Sequence, residues 1–190
     1  PGKRLDELEY AIRNDIGSLS IESFRELEHV RAICKRIGRI TRVLIRVNPA
    51  FELYRSGVKM GGGSRQFGID SELVPALLEQ LTGDPLVRFE GIHVFAGSQN
   101  LHASAIIESC RKMLDFAVKL SASQGVEMGT LIMGGGFGIP YHTQDQDLDL
   151  QSVGTGFTEL CQTYLPKLPN ARFIIELGRF LVGESGIYLT

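Results

Sequence analysis

Four glycines follow an apolar run in Leu131-Ile132-Met133-Gly134-Gly135-Gly136-Phe137-Gly138-Ile139-Pro140-Tyr141. The apolar residues read as a buried strand, and the glycines as an abrupt turn that ends it. Without Cβ atoms, successive main-chain N–H groups form a concave anion site that suits a phosphate. With no ligand, the same residues make only a tight strand-to-helix turn. The run is not the G-x-G-x-x-G dinucleotide fingerprint, because no third glycine opens a helix at the right offset. A second strand-like run, Phe173-Ile174-Ile175-Glu176-Leu177-Gly178-Arg179, ends in a carboxylate and a guanidinium three residues apart. A phosphate cradle, a fixed acid and a fixed cation at strand ends read as parts of one cofactor site.

Those parts need strands to carry them. Helical spacing of Leu5, Leu8 and Ile12 predicts an amphipathic helix over 5–14, ended by Gly17. Residues 18–22 alternate as a short strand. Ser23 with Glu26 three positions on is a capping-box pattern, opening a helix that runs to Ile37 and closes at Gly38. Residues 42–47 form the next strand, stopped by Asn48-Pro49. Residues 50–69 lack regular periodicity and include the glycine-bearing loop of residues 60–68, with Arg65 in it. Loops this long in compact domains tend to be functional or disordered. Asp70 is placed to cap a helix to residue 81. A strand over 89–95, a helix over 103–121, the strand before the glycine turn, an acidic loop over 144–149, a helix over 153–165 and the Glu176 strand complete the pattern. Residues 186–190 resemble the start of one more strand.

This β-α alternation predicts an α/β fold with a parallel sheet and helices outside it. Every chemically loaded stretch follows a strand at its C-terminal end, where both TIM barrels and doubly wound sheets place their sites. About five parallel strands suit a small flavodoxin-like sheet. They equally suit part of an eight-stranded (β/α)8 barrel, which takes about 250 residues.

The chain has 190 residues, 43% hydrophobic and 22% charged, enough for one domain with a substantial core. A formal net charge of −2 with scattered Lys and Arg points to neither nucleic acid nor an anionic membrane. Cys34, Cys110 and Cys161 are widely spaced, as in a protein with reduced thiols. No His, Cys, Asp or Glu set has metal-ligand spacing, and His29, His102 and His142 read as surface residues. The apolar runs fall far short of a bilayer span and no signal-peptide pattern is visible, so the expected location is the cytoplasm. Pro1-Gly2-Lys3 leads straight into a helical pattern, as a fragment or processed chain would.

Several segments together resemble the barrel domain of fold-type III pyridoxal-phosphate (PLP) decarboxylases, the alanine-racemase-like barrels of the diaminopimelate and ornithine decarboxylases. They are Ile21-Glu22-Ser23, Arg46-Val47-Asn48-Pro49, Phe67-Gly68-Ile69, Gly91-Ile92-His93 through Gly97-Ser98-Gln99, Gly134 to Gly138, and Glu176-Leu177-Gly178-Arg179. Met60-Gly61-Gly62-Gly63, the 95–100 segment and Leu177 resemble the branch linked to exosortase and exopolysaccharide systems, with relatives that act on carrier-bound aminoacyl groups.

The resemblance implies roles. Glu176 would pair with the pyridine nitrogen of PLP, whose pyridinium accepts the electrons left as CO2 departs. Gly134, Gly135 and Gly136 would donate main-chain N–H groups to the phosphate and Ser98 a hydroxyl. Arg179 would contact the phosphate or a substrate acid group, unless it serves in a structural ion pair. His93 and Phe95 share one strand parity and would face the barrel interior. Most relatives have a stacking His where Phe95 stands, so stacking survives here without the polar handle. His93 becomes a candidate catalytic group, or a core histidine. The glycine loop with Arg65 would pack near the cofactor or act as a flap.

Two departures accompany these matches. The family's Schiff-base lysine sits in an aromatic-Ala-Val-Lys-Ala-Asn context that this sequence lacks. The family's C-terminal β-domain, whose Cys and acid complete the partner subunit's site, has at most its start in residues 186–190. The expectation is therefore a partial PLP-binding barrel over 1–185, incompetent alone. In full it would act on a small-molecule amino-acid substrate (diaminopimelate, ornithine, arginine-like or carrier-tethered) as a cytoplasmic homodimer. Its reaction would be decarboxylation, with a racemase or a non-catalytic PLP-binding protein as alternatives.

Overall fold

The computed structural model describes residues 2–50, 58–59, 67–95 and 97–186. In order come α1 (Leu5–Arg13), β1 (Leu19–Ile21), α2 (Phe24–Ile37), β2 (Thr41–Asn48), β3 (Val58–Lys59) and β4 (Ile69–Asp70). A 3-10 turn (Ser71–Leu73) leads into α3 (Val74–Leu81), then β5 (Val87–Val94), β6 (Gly97–Ser98) and α4 (Ala103–Gln124). The rest is β7 (Thr130–Gly134), α5 (Leu150–Tyr164), β8 (Arg172–Glu176) and α6 (Arg179–Val182). Residues 60–66, including Arg65, and residues 187–190 lie outside the described residues, and with them most of the expected glycine loop and the expected final strand.

Local chemistry explains most boundaries. At the start of α2 the Ser23 hydroxyl accepts from the Glu26 N–H at 3.1 Å, while the Glu26 carboxylate accepts from the Glu22 N–H at 2.7 Å. The box thus closes one residue further out than in the standard pattern, and it ties the end of β1 to the helix. Gly38 and Gly125 end α2 and α4 in the left-handed conformation. Asp149 caps α5 by accepting from the Ser152 N–H at 3.0 Å, so that helix begins at Leu150, before the expected residue 153. Asp70 does not cap α3. It pairs in β4 and its carboxylate accepts from the Asn48 side-chain amide at 2.6 Å, leaving the 3-10 turn to start the helix.

The main sheet has the order β1-β2-β5-β7-β8, all parallel, with β4 beside the end of β2. No strand reverses that order. A flavodoxin-like sheet carries its first strand between later ones, so the singly wound order selects the barrel. One row of paired residues, Ile21, Ile45, Ile92, Leu131 and Phe173, belongs to the core shared with Leu27, Val30, Met113 and Leu114 of the helices. The alternate row carries Arg46, His93, Ile132 and Ile174 on the opposite face, the barrel interior. Strand alternation thus divides a dry helix-facing core from a face able to hold polar side chains. None of the described helices is long and apolar enough to cross a membrane.

Candidate functional site

Parallel strands bring the expected residues to one edge. Gly134 and Glu176 are register partners at the ends of β7 and β8, and the Gly135 N–H donates to the Glu176 carbonyl at 3.2 Å. That bond carries a correction. The Gly135 donor is already spent within the protein, and Gly135 serves the turn by lacking a side chain. A Cβ there would lie 2.8 Å from Ile175 Cγ2 and Leu177 Cδ2. Gly136 takes φ +60°, and a Cβ on it would sit 2.6 Å from the Gly97 carbonyl oxygen. Its N–H has no acceptor among the described residues.

The segment after β5 closes the other side of the turn. The Asn100 N–H donates to the Gly136 carbonyl and the Gly138 N–H to the Asn100 carbonyl, both at 2.9 Å. Ser98, half-buried, is thereby held beside Gly136, with its Cα 3.5 Å from where a Gly136 Cβ would stand. Phe95 lies against the start of the turn, its ring 2.5 Å from the position of a Cβ on Gly134. The aromatic surface and the glycine turn therefore meet at the same strand ends.

Arg179 opens α6, which the sequence reading missed. Its guanidinium donates to the Gln99 side-chain oxygen at 3.0 Å and lies over the Tyr141 ring at 5.7 Å. The carboxylate partner considered from sequence is absent among the described residues, and the arginine rests on neutral groups that an arriving anion can outcompete.

Glu176 and His93 come together across the interior. Glu176 is half-exposed, with Oε2 3.2 Å from His93 Nε2. His93 is 9% exposed, and Ser20 Oγ lies 2.9 Å from its Nδ1. Although the carboxylate is close to Nε2, no hydrogen bond is well aligned there, so this buried nitrogen is unsatisfied. Burial pushes the His93 pKa below the ordinary value of 6.5, and Arg46 adds to this, against the opposing pull of Glu176 and Glu22. Arg46 in turn pairs with Glu22 at 3.1 Å, and Lys3 meets Glu26 at 3.0 Å.

Sequence reasoning missed Ser20, because its partner lies 73 positions away and only strand register brings them together. It also missed Gln99, although that residue lies within a quoted motif. A cleft of about 840 Å³ lies apart from these groups, between the starts of α4 and α5 and the 144–149 loop. No group of three or more His, Cys, Asp and Glu among the described residues is disposed to hold a metal ion.

An arc of parallel strands with a glycine turn, an aromatic ring and a carboxylate at its C-terminal edge is the framework of a barrel domain. The model of the pyridoxal-dependent decarboxylase pyridoxal binding domain matches residues 1–183, and the chain belongs to this family. Among its relatives, an L-glutamyl-[BtrI acyl-carrier protein] decarboxylase of Niallia circulans is 33% identical over 100% of this chain and 45% of its own length. A diaminopimelate decarboxylase of Neisseria meningitidis is 30% identical over 100% of this chain and 45% of its own. The crystal structure of the Helicobacter pylori diaminopimelate decarboxylase (I148L mutant) with L-lysine superposes with TM-score 0.82 at 27% identity, covering 97% of this chain and 45% of that one. The chain thus spans a little under half the length of these relatives.

The family's cofactor is PLP, and the residues present fit it. A Cβ would fill the glycine turn, the Gly136 N–H has no acceptor among the described residues, and an acid stands at the neighbouring strand end.

Proposed function

We propose that the protein is a PLP-dependent amino-acid decarboxylase in which this domain holds the cofactor. The observation that carries the reading is the pairing of Gly134 with Glu176, which sets a carboxylate one strand away from the anion cradle. Bound PLP supplies an electron sink for the pair of electrons released as a carboxylate leaves as CO2. The Gly136 N–H, the Ser98 hydroxyl and the Arg179 guanidinium bind its phosphate. Phe95 offers its ring to one face of the cofactor. Glu176 holds a proton at the pyridine nitrogen, because an adjacent carboxylate stabilises the protonated form. His93, whose charged form burial disfavours, keeps Nε2 3.2 Å from the Glu176 carboxylate, within reach of a hydrogen bond once that carboxylate turns, and Ser20 fixes the ring from the other side at Nδ1.

Carrier-linked glutamate and diaminopimelate, named for the two relatives above, set the substrate class: an amino acid with a polar side chain, free or carrier-tethered. Within that class we favour a carrier-bound aminoacyl group and the exopolysaccharide-associated branch, on the strength of Phe95 and Leu177. A cytoplasmic homodimer completes the proposal.

The test is direct. The full-length protein with PLP is given free glutamate, diaminopimelate and an aminoacyl carrier, and CO2 release is measured against exchange of the α-proton. CO2 release matched by amine product supports the reading. Proton exchange without CO2 identifies a racemase instead, and neither reaction from any substrate overturns the enzymatic proposal.

A further inference from the structure

Gln99 occupies a position that its residue type does not favour. Its φ is +57°, in the left-handed region where non-glycine residues are uncommon and Asn is tolerated best. Such a conformation persists only where surrounding contacts over-determine it. Here the side chain makes those contacts. Its Nε2 donates to the Ile139 carbonyl at 2.5 Å and its Oε1 accepts from the Ile139 N–H at 3.3 Å, the double bond of a β-ladder made by a side-chain amide. The same Oε1 accepts from Arg179 Nη1 at 3.0 Å. One amide therefore ties together the loop bearing Ser98, the far end of the glycine turn and the cation of α6. Two further main-chain bonds, through Asn100, run alongside it to Gly136 and Gly138.

We propose that Gln99 is a positioning residue for the phosphate end of the cofactor site, setting the spacing between Ser98 and Gly136 and holding Arg179 ready at its mouth. The inference rests on the cofactor reading above. Gln99 itself need not touch the phosphate. An uncharged acceptor suits the role, because it orients the guanidinium without neutralising it and yields when an anion arrives. A carboxylate in its place would keep the arginine for itself. Asn accepts the left-handed backbone more readily than Gln, yet is one methylene too short to reach both Ile139 and Arg179.

The test uses the full-length apo protein and two ligands that differ only in the phosphate, PLP and pyridoxal. Dissociation constants are measured for wild type, Gln99→Asn and Gln99→Glu, with thermal unfolding as a check on the fold. The expected result is that Gln99→Asn unfolds within a few degrees of wild type and binds pyridoxal as before. Its preference for PLP over pyridoxal should fall by about tenfold or more, the size of a disturbed charge-assisted hydrogen bond. Gln99→Glu should lose the preference at least as strongly. A preference unchanged in both variants overturns the proposal. Equal weakening of the two ligands also overturns it, since that marks a general structural role. A wild-type protein that binds neither ligand overturns the cofactor reading, and this inference with it.

Discussion

At the scale of single residues, the interior face sets an acid and an imidazole 3.2 Å apart where only one of them meets water. Glu176 is half-exposed, whereas His93 is buried and its charged form is disfavoured by desolvation. Glu176→Gln removes the carboxylate that the proposed function places at the pyridine nitrogen and changes almost nothing in volume. Decarboxylation should fall by about 10²-fold or more while PLP is retained, as steady-state rates and absorbance of the same preparation would show. His93 leads to a pH prediction whose sign follows from its lowered pKa. The unfolded chain takes up a proton near pH 6.5 and the folded chain only at lower pH, so His93 lowers stability as pH falls from about 6.5 through its folded value. Glu176, Arg46 and Glu22 are the charged groups that face it. Chemical denaturation of wild type and His93→Gln between pH 7.5 and about 5 should show a shallower acid loss in the variant. The acid, the arginine and the glycines were legible in sequence because each is a rare residue type at a strand end. Ser20 and Gln99 were not, because a serine in a short strand and a glutamine in a loop take on roles only through partners 73, 40 and 80 positions away.

Elements show the same division between local and distant causes. Helices α1, α2 and α4 were readable because amphipathic spacing and caps lie within the segment itself. Ser23→Ala should test one such cap, lowering stability by about 1 kcal/mol as a shift in denaturation midpoint with unchanged slope. The short strands β3, β4 and β6, two residues each, have no periodicity to read and exist only through their partners. Helix α6, four residues long, falls below any helical repeat. Gly91 is the case where element geometry dictates a residue. It sits at the register shift between β5 and β2 with φ +153°, and a Cβ there would fall 1.8 Å from the Thr130 carbonyl oxygen of β7. No side-chain rotation relieves a clash with backbone. Gly91→Ala should therefore destabilise by more than about 4 kcal/mol or prevent folding, which soluble yield and urea unfolding would reveal.

The whole molecule links these local features through strand order. Since β5, β7 and β8 are consecutive neighbours, their C-terminal ends set Phe95 after the first, Gly136 after the second, and Glu176 and Arg179 at the third, and the proposed site spans all three. A ligand bound by three strands at once stabilises the arrangement they share, because it binds the folded chain and not the unfolded one. At a hundred times its dissociation constant PLP should add about 2.7 kcal/mol to the apo protein. For a domain of this size that is a rise in Tm of about 5 °C or more. Pyridoxal at the same concentration should give less, since it leaves the glycine turn and Arg179 unfilled. Glu176→Gln should keep the larger part of the PLP shift while losing turnover, because the substitution leaves the proposed phosphate contacts at Ser98, Gly136 and Arg179 in place. Thermal unfolding of apo protein against PLP, pyridoxal and inorganic phosphate separates these contributions. Equal shifts from PLP and pyridoxal would place the binding energy in the ring pocket alone, and would remove the glycine turn from the cofactor site.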